Sequence, residues 1–121
     1  MNLTVNEERI MFEKIFSLSV SVRYVAIYKD GNLQTKVRDN LSGASEPESD
    51  RYEELLVNPT LLTLTTQRGD IDCGGLDYLL VRYGNFFQLV LPSKGGHTSV
   101  CIESDADVLT LAAQVREITN S

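Results

Sequence analysis

Three stretches of this chain are apolar at consecutive positions rather than at alternate ones, and that pattern restricts the fold more than any other feature. They are Tyr24-Val25-Ala26-Ile27-Tyr28, Leu76 to Tyr83 and Phe86 to Leu91. Short runs rich in β-branched and aromatic residues read as strands. A strand that is apolar on both sides needs cover on both sides, so helices must lie on both faces of the sheet. At 121 residues, one domain spanning 1–121 is the expected organisation.

Turn residues divide these runs. Asp30-Gly31-Asn32 follows the first run, and a DG step between extended segments marks a hairpin because both central positions accept positive φ. Its partner is Leu33 to Val37, where Leu33, Thr35 and Val37 alternate with polar neighbours, as suits an edge strand beside a central one. Gly84-Asn85 is a tight turn, and Pro92 is expected to stop the strand that begins at Phe86. A loop, Ser93 to His97, then leads into a last strand, Thr98 to Glu103.

Helices fill the intervals. Thr4 or Asn6 can cap the first, Glu7 and Glu8 suit its N-terminal dipole, and Met11, Ile15 and Leu18 recur at helical spacing with Phe12 and Phe16 widening the stripe, to an end near Ser19. Residues 39 to 50 are polar and small and read as a mobile connection within the domain. A middle helix starts at Ser49 or Asp50 and carries Tyr52, Leu55 and Leu56. Asn58-Pro59 should kink or restart it, and Leu61, Leu62 and Leu64 lead to a stop at Gly69 before turn residues 70 to 75. The Thr-rich stretch 60 to 66 could instead be extended, with helix preferred. The last helix has Ser104 as cap, Asp107 reaching back, and a stripe of Val108, Leu111, Ala112, Val115 and Ile118.

The order is αββαβββα: an α+β domain with a five-stranded antiparallel sheet and helices on both faces. The first and last helices can pair on one face, leaving the middle helix alone on the other. One helix cannot cover five strands, so the remaining apolar surface invites a second copy of the molecule.

Charge and cysteine content narrow the function classes. A formal net charge of −6 and a pI near 4.7 make nucleic acid and anionic membrane poor partners. Cys73 and Cys101 are better read as reduced thiols than as a disulfide framework. There is no apolar leader, and the longest apolar stretch is too short to span a bilayer, so a cytoplasmic protein is expected.

Chemistry-bearing residues are sparse. His97 is the only histidine; it reads as an exposed loop residue, with a ligand contact or base as the alternative. Lys94-Gly95-Gly96 is not a phosphate loop, because its lysine precedes the glycines and a strand follows. Cys73-Gly74-Gly75 has no neighbouring base, and Cys101 packs on the side opposite Val100 and Ile102. Asp70, Asp72 and Asp77 lack the calcium-loop pattern and read as a solvated turn. Tyr24, Tyr28, Tyr78 and Tyr83 read as core or interface rather than as a pocket. No catalytic, cofactor or metal residues are assigned.

In its order of elements and in particular residues, the chain resembles the roadblock/dynein-light-chain family. The segments are Arg23 to Leu33 for the first hairpin, Phe87-Gln88-Leu89-Val90-Leu91-Pro92 for a core strand, and Val100-Cys101-Ile102-Glu103 running into Asp105-Ala106-Asp107. It also looks like small archaeal proteins of this general type, in Leu91-Pro92 and Glu103 to Asp107. The resemblance implies dimers, homomeric or heteromeric, whose middle helices pack antiparallel and whose sheets meet edge to edge. Such dimers bind or regulate small GTPases or scaffold larger complexes. Carried onto this chain, the pairing edge is Leu76 to Tyr83, with Leu79 and Val81, and the pairing helix carries Leu55, Leu56, Leu61 and Leu62. Small residues usually dominate the family's middle helix, and Asn58-Pro59 with the Thr-rich stretch departs from that pattern.

The expected function is a non-catalytic interaction or scaffold module whose partners are itself and a further protein, a small GTPase among the candidates. The alternative is a small-ligand sensor of the PAS or profilin-like kind, with a pocket lined by Tyr24, Tyr28 and Phe87.

Overall fold

A computed structural model describes residues 5–38 and 47–120. Helix α1 (Val5–Leu18) leads into β1 (Val22–Lys29) and β2 (Asn32–Val37); a helical stretch follows as α2 (Pro47–Tyr52), a π-type segment (Glu53–Val57) and α3 (Asn58–Asp72). The chain then forms β3 (Leu79–Arg82), β4 (Phe86–Ser93), β5 (Gly96–Glu103) and α4 (Val108–Asn120). The five strands form one sheet in the order β2-β1-β5-β4-β3, with every pairing antiparallel. This is the expected α+β arrangement, with β1 inside the sheet and β2 at an edge.

The hairpin turn follows from its residues. Asp30 and Gly31 adopt φ of 49° and 86°, the double positive φ that joins twisted strands with two residues. At this same end of β1, Lys29 also pairs with Gly96. A Cβ at Gly96 would lie 1.8 Å from the Tyr28 carbonyl oxygen, so only glycine lets the strands approach there.

Helices α1 and α4 cover one face. Phe12 and Ile15 of α1 and Leu111, Ala112 and Val115 of α4 join Val25, Ile27, Leu89, Leu91, Val100 and Ile102 in the main core. Arg38 fastens the end of α1: its guanidinium donates to the carbonyls of Phe16, Ser19 and Val22 at 2.9, 2.9 and 2.7 Å, satisfying groups a helix end leaves open. The capping of α4 differs from expectation. Asp107, not Ser104, precedes the first turn, and it accepts from the Thr110 hydroxyl at 2.8 Å.

Several boundaries also differ. Residues 39–46 of the expected mobile loop lie outside the described residues, as does Thr4, whereas 47–50 are helical. Asn6 lies within α1 and accepts from the Arg9 side chain instead of capping. Pro92 does not end β4; it pairs with His97, beyond the point where β3 last pairs at Val90, and a strand with one neighbour tolerates a missing N–H. Strand β3 is four residues long rather than the eight of Leu76 to Tyr83. Gly69 does not end α3, which runs on to Asp72. Its carbonyl accepts from the amides of Cys73 and Gly75 at 3.1 and 3.0 Å, and a Cβ there would meet the Gly75 and Leu76 backbone at 3.0 Å. Gly74 and Gly75, at φ of 80° and 88°, supply the stop.

Candidate interaction surface

The middle helix crosses the other face of the sheet, and Pro59 sets its geometry. Proline has no N–H, and its ring collides with the carbonyl four residues back. The chain does not break there: Val57 and Asn58 keep right-handed helical angles, and the Asn58 amide donates to the carbonyl of Glu53, five residues back. A wide π turn thus replaces the expected kink, and it shifts the phase of the helix by about one residue.

The phase shift turns Glu54 and Asn58 onto the sheet, where both are buried, Glu54 1% exposed and Asn58 fully enclosed. Four donors converge on the Glu54 carboxylate. Asn58 Nδ2 and His97 Nε2 approach Oε1 at 2.9 and 2.8 Å, while Ser99 Oγ and Tyr24 Oη approach Oε2 at 2.8 and 3.1 Å. A carboxylate accepts and does not donate, so His97 carries its proton on Nε2. The chain of bonds extends along the sheet: Gln88 Nε2 donates to Ser99 Oγ, and the Cys101 thiol donates to Gln88 Oε1 at 3.1 Å. Burial, reinforced by Glu54, pushes the Tyr24 phenol far above its ordinary range. Burial likewise holds Cys101 as the neutral thiol, well above its usual value, with Glu54 adding to the effect.

His97 is therefore neither an exposed loop residue nor a base facing solvent. It lies in β5, 1% exposed, stacked on Tyr28 with ring centroids 5.6 Å apart and spent on Glu54. The pocket of the alternative, sensor-like reading is not formed among the described residues: Tyr24 is buried under the middle helix, whereas Phe87 packs on the opposite face against the main core. Asp70 and Asp72 belong to α3 rather than to a turn, and among the described residues no group of acidic, histidine or cysteine side chains could hold a metal ion. Cys73 is exposed and donates to Asp72. No helix of the described residues is long and apolar enough to cross a membrane.

With its inner side spent on polar anchors, the middle helix turns most of its apolar residues outward. Leu55 is 41% exposed, Leu56 50% and Leu64 60%. Leu61 is half-buried. Leu62 departs from the expected interface set: it points inward at 8% exposure, because it follows Glu54 and Asn58 at four-residue intervals on the buried side. Leu79 and Val81 are half-buried on β3, the strand that ends the sheet on its β4 side. The structure thus brings Leu55, Leu56 and Leu61 to one surface element and Leu79 and Val81 to a sheet edge. Sequence reasoning missed Glu54. The available signal was the run His97, Ser99, Cys101, polar or small at alternate positions of a strand whose other side is apolar, which calls for a polar partner on the covering helix.

No family model matches the sequence, and no curated protein matches it. Solved structures share its fold. A Roadblock/LC7 domain from Streptomyces avermitilis aligns with a TM-score of 0.70 at 14% identity, over 92% of this chain and 90% of its own. MglC from Myxococcus xanthus aligns at 0.62 and 11% identity, over 94% of each chain. A structure described as MglB with tetrameric arrangement aligns at 0.69 and 12% identity, over 98% of this chain and 88% of its own. The domain has the roadblock-like fold.

Proposed function

We propose that this roadblock-like domain is a non-catalytic interaction module that pairs with a second copy of itself through the outward side of the middle helix and the β3 edge. The observation that carries this reading is the exposure of Leu55, Leu56 and Leu64 on a helix whose inner side is fixed to the sheet by Glu54. Fully burying a leucine contributes about 1.5–3 kcal/mol, so covering these half-exposed side chains on two copies supplies several kcal/mol. The β3 edge adds open backbone groups on which a second sheet can dock. Self-association also fits the structural likeness to MglB with tetrameric arrangement.

The paired surface is then a platform for a further protein, and a small GTPase is the partner class that the roadblock resemblance implies. Light scattering tests the assembly. The wild-type protein is expected at twice the 13.5 kDa of one chain, and Leu55→Glu with Leu56→Glu is expected at the mass of one. A wild-type monomer at high micromolar concentration would overturn the reading. Small GTPases of the native host, loaded with GDP or with a GTP analogue, test the partner class: binding that distinguishes the two states supports it, and indifference to both removes it.

A further inference from the structure

Strand β2 ends the sheet on the side away from β3, and among the described residues only β1 pairs with it. That pairing is regular from Asn32 to Val37, with no proline and no bulge. The Arg38 amide donates to the Arg23 carbonyl at 2.9 Å. Antiparallel bonds alternate along a strand, so Asn32, Gln34 and Lys36 also turn their backbone groups to β1. Leu33, Thr35 and Val37 turn theirs outward, where no strand meets them. The side chains of these three share the middle-helix face with their partners Tyr28, Ala26 and Tyr24. Thr35 is exposed, Val37 is 44% exposed and Leu33 is half-buried.

Gln34 and Lys36 lie on the other face, beside α1. There Gln34 donates to the Glu8 carboxylate at 2.9 Å. Glu8 is only 7% exposed, yet it makes no ion pair among the described residues. Lys36 is exposed and makes none either. The same edge therefore carries an enclosed carboxylate and a free ammonium that do not meet within one chain.

We infer that β2 pairs antiparallel with β2 of a second copy of this chain, in a register centred on Thr35. That register uses the whole strand, because Thr35 lies midway between Asn32 and Arg38. It sets Leu33 opposite Val37 of the copy on one face and Lys36 opposite Gln34 on the other. Side chains directly opposite stand ~4.5–5.5 Å apart, so each Lys36 ammonium comes within reach of the Glu8 bonded to the facing Gln34. Lysine on an edge ordinarily keeps strands apart. A register centred on Lys36 would set two ammoniums face to face, whereas one centred on Thr35 gives each a carboxylate. An acidic strand from another protein would suit Lys36 but meet Glu8 and also Glu13, which lines the α1–β2 groove with Lys36. A basic one would meet Lys36 and Arg38. About six backbone hydrogen bonds and little apolar area make the contact weak, with a dissociation constant of about 1 mM. It is sparsely populated at the concentrations of light scattering and does not rest on pairing through the middle helix.

Two readouts test it. The first is a dilution series of the Leu55→Glu, Leu56→Glu chain from about 2 mM, followed by amide NMR. The amides of Leu33, Thr35 and Val37 should shift with concentration, and those of Gln34 and Lys36, already bonded to β1, should shift less. Adding Lys36→Glu should weaken the association about tenfold. Adding Thr35→Pro removes an outward N–H that the single chain does not use, so the fold should persist and the concentration dependence should vanish. The second readout keeps the middle helix intact and replaces the exposed thiol by Cys73→Ser. In that chain Thr35→Cys should oxidise to a linked pair about tenfold faster than Ala113→Cys on exposed α4, because residues of a hydrogen-bonded pair stand ~5.5 Å apart, within disulfide reach. Amides of β2 that ignore concentration, or that move equally in the Thr35→Pro chain, would overturn the pairing, as would equal oxidation rates. Because the first series lacks the outward leucines, its failure is distinguishable from failure of pairing through the middle helix.

Discussion

Replacing Glu54 with alanine removes the one acceptor on which four side chains converge. Tyr24, Asn58, His97 and Ser99 are all buried, and each loses the oxygen it now approaches at 2.8 to 3.1 Å. A buried donor without an acceptor costs about 1–3 kcal/mol. Water entering the vacated space recovers part of this, so the net loss should be about 4 kcal/mol. That is a large part of the 5–15 kcal/mol that about a domain of this kind possesses. With a urea dependence of about 2 kcal/mol per molar, the unfolding midpoint should fall by about 2 M. Glu54→Gln keeps one acceptor oxygen and turns an amide toward two donors, so its midpoint should fall in between. A cycle pairing Glu54→Ala with His97→Ala should return a coupling of about 1–3 kcal/mol. If the alanine variant shifts the midpoint by less than about 0.5 M, the carboxylate does not hold the helix and the anchor is wrong.

Two further outcomes follow from the same geometry. Burial raises the pKa of Asp50, and Glu54 adds to this, so the folded protein binds that proton more readily than the unfolded chain and the ionised group opposes folding at neutral pH. Stability from this site therefore increases as pH falls through the raised value toward the ordinary 3.8. Asp50→Asn should stabilise at pH 7 and lose its advantage near pH 4, as followed by urea midpoints across pH; a constant advantage would contradict the cause given. Gly96→Ala should separate the ends of β1 and β5, costing about 3 kcal/mol or more in thermal or urea unfolding, and a near-neutral effect would contradict the close approach at Tyr28.

The layered architecture was legible because it depends on local patterns that tertiary contacts do not override. Tyr24 to Tyr28, apolar on both sides, could only be an inner strand, and Asp30-Gly31 could only be a tight turn. The stripe of Leu111, Ala112 and Val115 marked a helix buried on one side. What was not legible depends on phase and on distant partners. Pro59 signalled a break, but the helix absorbed it by widening one turn, and that displacement decides which of Glu53, Glu54, Leu55 and Leu56 faces inward. It sent Leu62 to the core and Glu54 to the sheet. His97 beside two glycines looked like a loop residue, since only the register of β5 against β1 and β4 places it within a strand. Pro92 misled for a related reason: its effect depends on whether a second strand lies alongside.

The outward leucines can be observed one by one. With methyl-labelled protein and a soluble gadolinium chelate, relaxation measures which methyls meet solvent, and Leu109 on α4, 64% exposed, supplies the fully wetted reference. At high protein concentration the methyls of Leu55 and Leu56 should be shielded relative to Leu109 and should become accessible on dilution. Relaxation as strong as that of Leu109 at every concentration would mean that no second copy covers the middle helix.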